Sequence, residues 1–167
     1  MRRWRGLLVM VGAVAWASCS SAPRQPIAFN HRLHVYNNVP CTVCHASAAT
    51  GQGAGLPGVK VCRRCHEDVL YESPEKAKIR LAVASGQDLH WLPAFSLKPF
   101  VYFSHRRHVT LGRIECSACH GDVSAQVQPF RPGLRPFGGR DGMMACIKCH
   151  NESHSAYAGV DCVNCHR

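Results

Sequence analysis

Five times along this chain, two cysteines separated by two residues are followed at once by a histidine. The copies, numbered here as motifs one to five, are Cys41/Cys44/His45, Cys62/Cys65/His66, Cys116/Cys119/His120, Cys146/Cys149/His150 and Cys162/Cys165/His166. This spacing is the attachment signature of c-type haem. The two thiols add across the haem vinyl groups as thioethers, and the adjacent histidine lies under the iron as its proximal ligand. Two intervening residues suit a single helical turn, so both sulfurs meet one edge of the porphyrin. The count implies five haem c groups.

Structural zinc is the competing chemistry, because pairs of cysteines at such intervals also build four-cysteine sites. Five pairs do not divide into four-cysteine sites without a remainder. Every pair is also followed by histidine, although histidine fills only 11 of 167 positions. Both facts favour haem.

Six histidines remain after the proximal five: His31, His34, His90, His105, His108 and His154. Four of them sit in a repeated block. Phe29-Asn30-His31-Arg32-Leu33-His34-Val35 precedes motif one, and Phe103-Ser104-His105-Arg106-Arg107-His108-Val109 precedes motif three. His31, His34, His105 and His108 are therefore the expected distal ligands. For the fifth iron His154 is favoured, with His90, Met143, Met144 and an open position as alternatives. Two imidazoles leave an iron no substrate position and hold its potential below that of a His/Met centre. The histidine supply argues for electron transfer. The alternative is a multihaem reductase with one open catalytic haem, which needs acid/base groups that no cluster here supplies.

The elements that must position these ligands are sparse. Residues 1–18 read as a secretory signal: Arg2, Arg3 and Arg5 precede an apolar run from Gly6 to Ala17 that is short for a membrane span. Ala17-Ser18-Cys19 resembles the end of a lipobox, and Cys19 is the one cysteine outside the motifs. The expectation is a lipid-anchored periplasmic protein. An ordinary cleavage after Ala15-Trp16-Ala17 and a retained anchor are the alternatives. Residues 19–27 read as a tether and 28–167 as the haem domain, with a duplicated two-haem unit at 28–73 and 101–150 and a closing haem at 151–167.

From Cys19 onward 149 residues serve five motifs, too few for separate cores, so the haems themselves must be the core. The fold is expected to be mostly irregular with short α-helices around stacked haems and little or no β-sheet. Ser73-Pro74-Glu75 predicts a helix over 74–85, stopped by Gly86. Residues 91–101 are apolar packing, and 129–142, rich in Pro and Gly, form a loop. The precursor carries a formal net charge of +10. Haem propionates offset most of it, and export excludes nucleic acid as the partner.

At Pro26-Ile27-Ala28-Phe29-Asn30-His31, at Trp91 with Phe100-Val101-Tyr102-Phe103-Ser104-His105, and at Cys116-Ser117-Ala118-Cys119-His120-Gly121, the chain resembles the class III multihaem cytochromes c, of the c3/c7 kind. Within them it is similar to the pentahaem subunits of alternative complex III, a quinol-oxidising respiratory assembly. The resemblance implies stacked bis-histidine haems and an electron carrier rather than an enzyme. Its partners would be redox proteins and a membrane quinol-oxidising complex. It further implies that the first histidine of each block serves the haem whose motif follows: His31 that of motif one, His105 that of motif three. The second histidine reaches a different haem, leaving the partners of His34 and His108 open.

Overall fold

A computed structural model describes residues 24–67, 72–133, 142–152 and 159–166. Short helices joined by irregular chain make up these residues, and the motifs account for most of them. The helices are α1 (His31–Tyr36), α2 (Cys41–Cys44), α3 (Val59–His66), α4 (Pro74–Ser85), α5 (Cys116–His120), α6 (Gly142–Glu152) and α7 (Cys162–Cys165). Among the described residues there is no sheet; Val101 and His166 form an isolated antiparallel bridge. A π-helical segment spans Arg106–Leu111. The helix-poor, irregular architecture matches the expectation.

Helix α4 forms where its end signals place it. The Ser73 hydroxyl accepts from the amide of Lys76 at 3.2 Å, Pro74 opens the first turn, and Gly86 closes the helix at φ 67°. A side chain at that φ would be strained, so glycine is the natural stop. Helix α3 takes its cap from a distance. The Asp88 carboxylate, beyond α4, accepts from the Val59 amide at 2.5 Å and from the Leu89 amide at 2.8 Å. A methyl on Gly58 would lie 2.6 Å from an Asp88 oxygen, so glycine there permits the approach.

Among the described residues few side chains are buried. Ile27, Val59 and Ile79 form one cluster, with Cys62, Ala82, Val83, Leu89 and Trp91 packed on it, and Ala48 is buried elsewhere. Packing thus reaches back into the segment read as a tether. Ile27 lies in the cluster, and the Gln25 amide bonds to Leu92 and to the carbonyl of Phe130. The Trp91 indole donates to the Pro57 carbonyl at 2.8 Å. A chain of this length ordinarily buries roughly 70% of the surface its unfolded form exposes. One small apolar cluster suits a polypeptide wrapped around large prosthetic groups.

Candidate haem-binding site

All five motifs lie on helical turns. In motifs one, three and five the first cysteine opens the helix, preceded by an extended residue: Pro40, Glu115 or Asp161. The turn then closes: the His45 amide donates to the Cys41 carbonyl at 2.9 Å and the His166 amide to Cys162 at 2.8 Å. Motif two ends α3 and motif four lies within α6. Each turn presents two thiols on one side. The ten motif cysteines are unpaired by disulfides, and none is fully buried.

Both repeated blocks adopt one geometry. Phe29 meets His31 edge-on (4.8 Å, 81°) and stacks on His34 (4.4 Å, 26°). Phe103 meets His105 edge-on (4.9 Å, 90°) and stacks on His108 (4.5 Å, 25°). The phenyl ring is the spacer that holds two imidazoles at fixed, different angles. Backbone carbonyls then fix the tautomers. Nδ1 of His34 donates to Asn30 and Nδ1 of His108 to Ser104, each at 2.8 Å. His105 donates to Gln52 and His45 to Gly55, again at 2.8 Å. With the proton on Nδ1, the Nε2 lone pair is the ligating one.

Three such rings face a motif histidine at nearly the same separation. His34 and His66 have ring centroids 6.1 Å apart, His105 and His120 6.3 Å, and His108 and His150 6.1 Å. That is too far for a direct hydrogen bond or close stacking. Two imidazoles bound to one metal through bonds of about 2 Å, with the centroid about 1.1 Å behind each nitrogen, stand about 6.2 Å apart. The pairs therefore fit an iron between them. His31 is close enough to His45 to feel its charge, and its buried Nδ1 has no hydrogen-bond partner among the described residues. A buried ring so placed is costly unless something else engages it. Burial holds His31, His66 and His120 below the ordinary imidazole range, with help from His45, His34 and His105 respectively. Burial thus favours the neutral imidazole, the form that can ligate a metal. Among the described residues no group of three or more His, Cys, Asp or Glu converges as a zinc site would require.

The comparisons agree with this chemistry. Residues 101–167 match the family "Cytochrome c7 and related cytochrome c". Over 183 residues the chain is 32% identical to the menaquinone reductase multihaem cytochrome c subunit of Nitratidesulfovibrio vulgaris (strain Hildenborough). The match covers 97% of this chain and 87% of that one. This chain is a class III multihaem cytochrome c. Membership implies covalently bound haem c and a role as an electron carrier rather than a catalyst.

Thiols of different motifs in this cytochrome are also neighbours. Burial pushes the Cys44, Cys62, Cys116, Cys119 and Cys146 thiols up, and in each case a cysteine from another motif pushes further: Cys65, Cys44, Cys41, Cys149 and Cys165 in turn. The candidates for the fifth distal ligand are not brought together. His154 lies outside the described residues, as does Cys19. His90 is exposed near Asp88, and Met143 and Met144 are exposed at the start of α6. His166 packs beside Phe100 at 5.7 Å. Sequence reasoning missed Phe95, which contacts both His120 (4.9 Å) and Phe130 (5.3 Å). Its only signal was membership of the apolar run at 91–101.

Proposed function

We propose that this cytochrome carries five haems c, one per motif, and relays electrons between membrane quinone-linked chemistry and redox partners outside the cytoplasm. The observation that carries the reading is the recurrence of imidazole pairs 6.1–6.3 Å apart, two of which, His34/His66 and His108/His150, join a block to a motif other than the one that follows it. We take His31/His45, His34/His66, His105/His120 and His108/His150 as the axial pairs, and His154 as the fifth distal ligand. Haem c, when bound, supplies a one-electron ferric/ferrous couple. The polypeptide holds each ring at its tautomer and angle through Phe29, Phe103 and the backbone carbonyls. Paired axial sites leave no room for substrate.

Quinone-linked chemistry is supported by the similarity to a subunit named for menaquinone reductase. Among the described residues no helix is long and apolar enough to cross a membrane. The lipobox-like Ala17-Ser18-Cys19 supports association with one through a lipid on Cys19. Pyridine haemochrome analysis of the purified protein should return five haems per chain, low-spin and unreactive to carbon monoxide when reduced. A lower haem count, or carbon monoxide binding by the wild type, would refute the corresponding part of the reading.

A further inference from the structure

We infer that the five haem centres lie in space in the order of motifs two, one, three, four and five, with motifs two and five at the ends. This rests on the five-haem reading above and adds what sequence order does not give, since motifs two and three are consecutive along the chain.

The centre of the array is a contact between motifs one and three. The Cys116 and Cys41 side chains lie close enough to act on each other electrostatically. Reciprocal packing surrounds this contact. The first block rests on the turn after motif three: the Arg32 amide donates to the Gln126 carbonyl at 2.9 Å. The second block rests on the turn after motif one: the His105 and Arg106 amides donate to Gln52 and Gly51 at 3.0 Å, and the Thr110 hydroxyl to Ala49 at 2.6 Å. Each half thus clamps the other half's first motif, an approximate two-fold exchange with motifs one and three innermost.

The second histidine of each block then reaches outward. His34, on the short helix just before motif one, stands opposite His66 of motif two, and Cys44 of motif one neighbours Cys62 and Cys65 of motif two, so motif two flanks motif one. His105 faces His120 while His108 faces His150, so motif four flanks motif three. Motif five extends the second side. The Tyr102 amide donates to the Cys165 carbonyl at 2.8 Å, His166 bridges to Val101, and Cys165 neighbours Cys146 of motif four. Electrons would enter and leave at the two ends: motif two, on α3 against α4, and motif five, on α7.

The test is nuclear Overhauser spectroscopy on the reduced, diamagnetic, full haem-loaded protein. Each haem is assigned to its motif through contacts with its own thioether cysteines. Inter-haem cross-peaks are expected for motifs one/two, one/three, three/four and four/five. A two/three contact, or the absence of the one/three contact, would overturn the order while leaving five haems intact. Fewer than five haem signal sets would overturn the five-haem reading and the order with it. Haem count and neighbour pattern are read separately, so the two failures are distinguishable.

Discussion

His108 lies eight positions before motif three, yet its ring stands 6.1 Å from His150 of motif four. Replacing it with alanine should therefore open the motif-four iron and spare its sequence neighbour. Alanine withdraws the whole imidazole and leaves a gap on one axial side, large enough for a diatomic ligand. Thioethers from Cys146 and Cys149 and the proximal His150 do not depend on His108, so the haem should stay attached. With five motifs in the chain, the reduced variant should bind one carbon monoxide per chain, and about one-fifth of its iron should turn high-spin. Assignment to motif four follows from a second variant, Cys146→Ser/Cys149→Ser, which removes that haem alone. If His108 serves motif four, adding His108→Ala to this background should create no carbon monoxide site. A fresh site there would place His108 on another iron. An unchanged low-spin spectrum in His108→Ala itself would show that the ring is not an axial ligand.

Cys19→Ser should release haem-loaded protein from membranes, checked by fractionation; wild type already soluble with a free N-terminus would refute lipidation. Asp88→Ala should lower stability by about 1 kcal/mol, the ordinary worth of a helix cap, measured by denaturant unfolding. The Val59 and Leu89 amides hold the Asp88 carboxyl below the usual range. Its stabilisation is therefore full above the usual aspartate pKa and lost as pH falls through the lowered folded value, so the two proteins should converge in acid. Gly112→Ala should cost about 1–3 kcal/mol by overpacking and, if His108 is an axial ligand, broaden the signals of its haem, because the added methyl would sit 2.8 Å from the His108 carbonyl.

The haem motifs, the two histidine blocks and helix α4 were legible in the sequence because each depends on residue types at fixed spacing. The clamp between the halves was not. It runs through carbonyls of Ala49, Gly51, Gln52 and Gln126, and a backbone acceptor leaves no mark on residue identity. Asp88 capping α3 from 29 positions away was hidden for a related reason: a distant carboxylate looks like any surface acid. Which rings stand opposite His34 and His108 needed coordinates, since a helix fixes the angle between two rings but not what lies beyond them.

One detail joins the two levels. Cys41 follows Val35 by six positions, but Cys116 follows Val109 by seven. An extra residue would ordinarily rotate the second motif away from its histidines. The second half absorbs it by widening its helix. α1 is an α-helix, whereas Arg106–Leu111 is π-helical, closed by the Gly112 amide on the Arg107 carbonyl, five positions back, at 2.8 Å. A π-bulge is how a helix takes up one inserted residue, and such bulges gather at functional sites. The left-handed residues mark the restored register. Asn38 (φ 56°) and Arg113 (φ 51°) each sit three positions before their motif's first cysteine. Gly112 occupies the added position, where a Cβ would strike the carbonyls of His108 and Arg107 at 2.8 and 3.2 Å. The phenyl–imidazole geometry upstream is the same in both halves despite the insertion. What the two halves hold constant is the placement of two imidazoles relative to a Cys-x-x-Cys-His turn, and the backbone bends to keep it.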